Sequence, residues 1–419
     1  MLVLSGCDTL LFSQGTPTAL ATTAPSETVQ TTQRPPTPGA TRTPPQPTTL
    51  QVWVPPRFDP ESDSSAGRLL RARLAEFTAR RTGVHVEVRV KSATGPGGLL
   101  DSLNTASAAA PLALPDLILL QRGLLETAAL KGLLYPFDGL SSALDQQDWY
   151  DYARDLARLQ ESTFGLPFAA DGLILMYRPA DVAKPPTDWT ETLELKTPLA
   201  FPAADELALF TLSQYMANGA PLEDAQGRPS LDPGSLTELL AFLGDAASAG
   251  VMPFWLTQYS SFDQSWEAYT ENRADLVIDW ASRYMAELPG DTDATLIPTP
   301  DGRPFTLVDG WVWALANPQV QRHAASAELA EFLTDPDFLA KWTAAAGYLP
   351  PRASALAGWS NTPLRSLVED IARTAHSMPP TEVMNVVGLP LEEATVDVLK
   401  EQSAPADAAE KAAQKIRSP

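Results

Sequence analysis

The segment Val84-His85-Val86-Glu87-Val88-Arg89-Val90 alternates apolar and polar residues without a fault. A period of two is the mark of a strand with one packed face and one wet face, as at the edge of a sheet. The runs on either side of it read differently. Leu50-Gln51-Val52-Trp53-Val54 is rich in β-formers and stops at Pro55-Pro56, whereas Pro115-Asp116-Leu117-Ile118-Leu119-Leu120 becomes continuously apolar, as in a strand covered on both faces. Between the first two, Ala66, Leu70, Leu74 and Phe77 fall on one face of a helix. That helix stops near Arg80-Arg81-Thr82-Gly83, with cations in the last turn and glycine beyond it. A helical stretch to Lys131-Gly132 follows the buried strand. Strand, helix, edge strand, helix, buried strand is the pattern of an α/β layer with parallel strands.

A second set of elements begins near Phe164. Gly165-Leu166-Pro167-Phe168 leads into a strand over Asp171–Tyr177, followed by a proline-rich loop. Asp275–Trp280 reads as a buried strand whose end carries an acid and a tryptophan. Phe305–Leu315 is a further strand, bent at Gly310, and 321–333 a helix with Ala325, Leu329, Phe332 and Leu333 on one face. Asp335-Pro336 opens a short helix that closes at Gly347. The chain has 419 residues, past the ~250–300 at which one core stops growing, so two domains are expected.

Lys and Arg number 30 and Asp and Glu 51, a net charge of −21 that repels phosphate backbones and argues against nucleic-acid binding. A single cysteine excludes an intramolecular disulfide and a thiolate metal cluster, and three histidines leave little for a metal site. No metal and no cofactor is expected. His85 is assigned to the wet face of the edge strand and His323 to a polar helix face.

The lone cysteine sits in Met1-Leu2-Val3-Leu4-Ser5-Gly6-Cys7, an apolar run ending in small residues, as before a processing point. From Thr16 to Thr49 the composition collapses to threonine and proline, which accounts for much of the excess in a chain with 39 prolines. Such a segment cannot bury enough apolar surface to order itself, and proline stiffens it into an extended stalk. No window has the ~18 consecutive apolar residues of a membrane-spanning helix.

The order of landmarks resembles that of the extracellular solute-binding proteins of ABC importers, in the large sugar-binding family 1 that includes the maltodextrin-binding proteins. The resemblance is carried by the opening strand with Trp53, Thr82-Gly83-Val84, Pro115-Asp116-Leu117-Ile118, Gly132-Leu133-Leu134, Gly165-Leu166-Pro167-Phe168, Leu175-Met176-Tyr177-Arg178 and Pro185-Pro186-Thr187-Asp188-Trp189. Later come Trp280, Ile297-Pro298-Thr299-Pro300, Gly310-Trp311, Glu328–Leu333 and Gly347-Tyr348-Leu349-Pro350-Pro351-Arg352. Leu4-Ser5-Gly6-Cys7 likewise resembles the lipobox of bacterial lipoproteins, in which the cysteine is acylated. Because the charged and most of the apolar part of such a signal are missing from residues 1–7, the start is expected to be a truncated one.

The resemblance implies a two-lobed, periplasmic-binding-protein-like (type II) α/β fold with a ligand cleft between the lobes, behind a disordered Thr/Pro-rich tether over 8–49. One lobe would comprise 50–167 with about 307–350, the other 168–306 with about 351–400, and 401–419 would be a helical or frayed tail. Crossovers would fall near Pro167-Phe168, Thr299–Thr306 and Tyr348–Arg352. The implied function is capture of a small solute, foremost a mono- or oligosaccharide, by hinge closure and its delivery to separate ABC permease subunits. The protein would be a monomer outside the cytoplasm, held to the membrane through a lipid on Cys7. The rival readings are a stalked carbohydrate-active hydrolase and a scaffold lipoprotein with a vestigial cleft.

A sugar offers apolar C–H faces and a rim of hydroxyls, which call for aromatic rings and for planar carboxylate, amide or guanidinium groups. Trp280 ends a strand where α/β ligand sites lie and matches the family's stacking position, with core packing as its alternative. Asp279 beside it reads as a hydroxyl reader or a helix cap. The loop with Arg57 and Asp59 corresponds in position to the family's cleft loop. Gln121 and Arg122 follow the buried strand, where the family places polar contacts. Asp205 aligns with a family carboxylate, but Leu207 stands where an aromatic would be expected, which argues against long maltodextrins. Trp311, Tyr348 and Asp171 lie near the implied crossovers as ligand contacts or hinge packing. Trp53, Trp313, Trp342 and Trp359 are assigned to packing. No nucleophile elbow, glycine-rich phosphate loop or His-Glu-x-x-His motif occurs.

Overall fold

The computed structural model describes residues 48–417. Cys7 and the Thr/Pro-rich stretch up to residue 47 lie outside the described residues. Eleven strands are assigned among the described residues: β1 (Thr48–Val54), β2 (Val84–Val90), β3 (Leu117–Gln121), β4 (Arg158–Leu159), β5 (Ser162–Thr163), β6 (Leu166–Tyr177), β7 (Leu199–Ala200), β8 (Leu276–Trp280), β9 (Asp293–Thr295), β10 (Thr306–Leu315) and β11 (Ala375–Ser377). The main sheet runs β2-β1-β3-β10-β6-β8-β7, with β11 on β10 and β9 on β6, while β4 and β5 form a separate hairpin.

The first three strands follow their sequence periods. β1 pairs in parallel with both β2 and β3. β2 is the edge strand, and His85, Glu87, Arg89 and the terminal Val90 are its exposed residues. β3, parallel to β1 and antiparallel to β10, has Leu117, Ile118, Leu119 and Leu120 fully buried, as its unbroken apolar run predicts. Helix Ser65–Arg80 buries the expected stripe of Ala66, Leu70, Leu74 and Phe77, and Ser64 caps its start by accepting from Gly67 N at 2.9 Å.

β6 and β10 are the long elements. β6 is one 12-residue strand rather than a loop followed by a strand at Asp171, so Leu166-Pro167-Phe168 is already in the sheet. Over its first half β6 pairs antiparallel with β10, to Val308↔Gly172. From Leu173 onward its neighbours are β8 and β9. The partner change at Gly172–Leu173 makes β6 the joint between the β2-β1-β3-β10 and β8-β7 parts of the sheet. β10 carries a register shift at Trp311/Val312, next to the glycine expected to bend it. A Cβ at Gly310 would lie 2.4 Å from Leu156 Cδ1 and 2.9 Å from Ala169 O, so only glycine lets the strands approach there.

Helix Pro336–Ala346 starts at an Asp335 cap and stops at Gly347, whose φ of 71° is the left-handed conformation glycine adopts freely. Helix Val320–Leu333 differs from its sequence reading at one position. His323 is 5 % exposed rather than on a wet face, and its Nε2 lies 2.6 Å from Asn317 O, which satisfies a ring that stacks near Tyr135. Residues 405–417 form a helix that buries Ala408, Ala409, Ala412 and Ala413 against helices Pro233–Ser248 and Thr381–Leu399. Trp53, Trp313, Trp342 and Trp359 are all buried. No described helix is long and apolar enough to cross a membrane.

Candidate ligand-binding site

At the joint, a cavity of about 390 Å³ opens where several strands end. That volume lies at the small end of the ~300–1,000 Å³ usual for ligand pockets. Seven of the ten candidate residues line it: Arg57, Gln121, Asp171, Asp279, Trp280, Trp311 and Tyr348. Arg57 lies in a single turn just after β1, Gln121 ends β3 and Trp280 ends β8. Ligand sites in α/β sheets collect at such carboxyl ends because the loops there are free to vary over a fixed scaffold.

Trp280 is partly exposed, with its ring 5.8 Å from the tilted ring of Phe262. Trp311 is 9 % exposed and rests on Phe58 at 5.0 Å. Tyr348 stacks on Phe58 at 5.7 Å, and its hydroxyl accepts a hydrogen bond from Arg57 Nη1 at 3.0 Å. Burial pushes the Tyr348 hydroxyl up to about 12, so it remains a donor.

The polar walls are dominated by acids. Asp279 is fully buried and sits 2.7 Å from Arg283 Nε, and its Oδ1 accepts from Trp280 N at 2.7 Å. It is not the cap of helix Ala281–Glu287, whose cap position belongs to Trp280. Arg283 also pairs with Asp263 and, at 3.8 Å, with Glu287. Asp171 Oδ1 accepts from Ser282 N at 2.9 Å, across 111 residues of chain, and so ties β6 to the start of that helix. Burial raises the carboxyls of Asp171 and Asp279 to about 7, against the opposing pull of Ser282 on the first and Arg283 on the second. Burial likewise raises Asp309, whose Oδ2 accepts from Gln121 Nε2 at 2.5 Å.

Asp59, Arg122 and Asp205 do not reach the cavity. Asp59 Oδ1 accepts from Glu61 N at 2.8 Å and closes its own turn. Asp205 does the same for Leu207 N at 3.3 Å and Leu209 N at 2.9 Å, at the entry to helix Leu209–Ala217. Short acidic side chains compete for nearby backbone donors in this way. Arg122 is the first residue of helix Arg122–Leu130, with Glu126, Asp309 and Asp155 as its nearest acids, and burial lowers its pKa.

Sequence reasoning missed Asp309, Arg283 and Phe262, all of which line the cavity. Two of them left a signal. Asp309 interrupts the apolar run Leu307–Val312 two residues before Trp311 and therefore shares its face. Arg283 stands four residues after Asp279, one turn away on the following helix. Nothing in the local pattern marks Phe262. Among the described residues, no group of three or more His, Cys, Asp or Glu is arranged to hold a metal ion.

The cavity can therefore hold a small polar molecule between rings and planar hydrogen-bonding groups. No curated protein sequence matches the chain. Among solved structures, a cyclic alpha-maltosyl-1,6-maltose binding protein from Arthrobacter globiformis is 20 % identical, with a TM-score of 0.74 over 89 % of this chain and 98 % of that one. The sugar-binding protein MalE from Xanthomonas citri is 19 % identical, with a TM-score of 0.73 over 88 % and 96 %. A cyclo/maltodextrin-binding protein complexed with maltotetraose is 21 % identical, with a TM-score of 0.71 over 89 % and 97 %. These likenesses establish the two-lobed fold. The family model for bacterial extracellular solute-binding proteins matches residues 72–366, most of the folded body. Its membership implies a location outside the cytoplasm and a binding, solute-capturing role: the chain belongs to the bacterial extracellular solute-binding protein family.

Proposed function

We propose that the chain captures a small carbohydrate, of one or a few rings, in the cleft at the β6 joint and passes it unchanged to the permease of an ABC importer. One observation carries this reading. Trp280, Trp311 and Tyr348 present rings in the same cavity as Gln121, Asp279 and Arg57, so C–H faces and hydroxyl pairs meet suitable partners together. The ligands of the structural neighbours, maltotetraose and a cyclic maltosyl-maltose, favour a sugar. Leu207 is exposed outside the cavity, and its failure to supply an aromatic there agrees with a short ligand.

The proposed lobes are 50–167 with about 307–350 and 168–306 with about 351–400, with β6 and β10 as the shared spine. Solute touching both lobes favours closure by its differential affinity for the closed form. We further propose a monomer anchored through Cys7, without catalysis.

The test is a thermal-shift screen over mono- and disaccharides, followed by calorimetric titration and product analysis. A sugar that raises the melting point and is recovered intact supports the reading, since a ligand bound to the folded state alone stabilises it. Cleavage of the sugar would establish a hydrolase instead. A flat response to every carbohydrate would defeat the proposal.

A further inference from the structure

The cavity holds more acidic groups than reading hydroxyls requires. Five carboxylates (Asp171, Asp263, Asp279, Glu287 and Asp309) line it against two guanidiniums, Arg57 and Arg283. The charges are also unevenly matched. Arg283 is shared among Asp279, Asp263 and Glu287. Arg57 is directed at the Tyr348 hydroxyl. Asp171 and Asp309 form no ion pair among the described residues. They are nevertheless direct neighbours, since Asp309↔Asp171 is a register pair of the β10–β6 ladder. Side chains so placed lie on one face with Cβ atoms ~4.5–5.5 Å apart, here with Asp171 turned to Ser282 and Asp309 to Gln121.

Arg57 acts on Asp171 and Arg122 on Asp309 from a distance, but neither forms an ion pair with them and burial outweighs both. Asp171 receives Ser282 N, and Asp309 receives Gln121 Nε2 and Gly310 N. Arg122, the nearest cation to Asp309, lies outside the cavity among Glu126 and Asp155. When the cleft closes over a neutral solute, both carboxylates lose water and gain no counter-charge, which is costly. A cation brought by the solute would remove that cost. Trp311 lies on the same face two residues beyond Asp309, and Trp280 faces the same cavity, so the cation would sit beside apolar surface.

We propose that the solute carries a protonated amine, seated between Asp171 and Asp309, with its adjoining ring face against Trp280 or Trp311. The proposal rests on the carbohydrate reading of this cleft and narrows it to aminated sugars. The ammonium group would donate to both carboxylates through charge-assisted hydrogen bonds. An N-acetylated sugar would lack the charge, and a neutral sugar would lack the group altogether.

The experiment uses three disaccharides matched except at C2: the β-1,4-linked glucosamine dimer, its N-acetylated form and cellobiose. Each is titrated calorimetrically at about pH 7, where an amine with a pKa near ~7.7 is mostly charged and the Asp171 carboxyl, raised to about 7, can ionise against it. The free-amine dimer is expected to bind at least tenfold more tightly than either of the others. Both Asp171→Asn and Asp309→Asn are expected to bring the three affinities within about threefold. Added salt should weaken the amine and spare cellobiose, and this measurement on the parent chain decides the matter even where a variant does not fold. Cellobiose or the acetylated dimer binding as tightly as the amine overturns the inference and leaves the carbohydrate reading standing. Binding of 1,4-diaminobutane with no carbohydrate bound at all sustains the amine and overturns the carbohydrate.

Discussion

Strand β3 has an acid associated with each of its ends, and the sheet treats the two in opposite ways. Asp116, immediately before β3, is fully buried and held by Arg322, with Nε at 2.5 Å from one oxygen and Nη2 at 2.6 Å from the other. Gln51 N donates to the same carboxylate at 2.7 Å. At the far end, Gln121 donates to Asp309, which stands opposite Asp171 in the β10–β6 ladder and has no ion-paired cation among the described residues. A carboxylate whose lone pairs and charge are met from within the fold is structural. One with the charge left open toward a cavity is available to a ligand. The contrast separates stability from function more sharply than burial alone, because all of these acids are at least partly buried.

The strongest test of that contrast acts on the matched end. Arg322→Met leaves Asp116 buried without its counter-charge. Loss of one partner of a buried pair costs about 3–5 kcal/mol, which should appear as a large drop in the urea midpoint. Solute affinity in the folded fraction should change less than about threefold, since neither residue lines the cavity. A variant with normal stability, or one stable but unable to bind, would erase the distinction between the two ends.

A smaller effect is expected on the open side. Trp280→Ala removes a partly exposed ring that closes the end of β8 over the cavity. Calorimetry with the best carbohydrate should show a loss of about 1.4–2.8 kcal/mol, or ten- to a hundredfold in affinity. The melting point of the unliganded protein should fall by less than it does for Arg322→Met. Unchanged affinity would mean that the ring serves only to pack against Phe262.

The two ends of β3 were also unequally legible in the sequence. Alternation in β2, the unbroken run in β3 and the helical stripe of Ala66, Leu70, Leu74 and Phe77 each follow from a single period, so the layer could be read directly. Trp280 and Gln121 could be placed because ligand sites gather at the carboxyl ends of strands. Asp59 and Asp205 looked equally suitable and are consumed by backbone donors within four residues, which residue type alone does not reveal. The pairing of Asp309 with Asp171 depends on the register of two strands 138 residues apart, and no local window contains it. His323 was misplaced for a similar reason. Its acceptor, Asn317 O, comes from the turn before the helix, and only the packed structure shows the ring covered.

The smallest effect concerns the cost of leaving Asp171 open. Its carboxyl is raised from 3.8 to about 7, mainly by burial, so the folded state holds the proton more tightly than the unfolded chain does. Between those values the folded protein carries more protons, and the contribution of this group to stability falls as pH rises from about 4 to about 7 and is flat above. Asparagine has the shape of the neutral carboxyl and does not titrate. The full rise would correspond to about 4 kcal/mol, but Asp171 is partly open to the cavity and its charge is screened there, so Asp171→Asn should match the parent in stability near pH 4 and exceed it by about 1–2 kcal/mol near pH 8, a modest rise in melting point. The carboxylates of Asp279 and Asp309 remain in the variant, so part of the pH dependence persists. The same substitution should cost affinity for an amine, so stability and binding would move in opposite directions. Asp116 offers no such trade, because its charge is already answered by Arg322. If Asp171→Asn instead destabilised the protein equally at both pH values, the hydrogen bond to Ser282 N would be its whole role, and both ends of β3 would be structural.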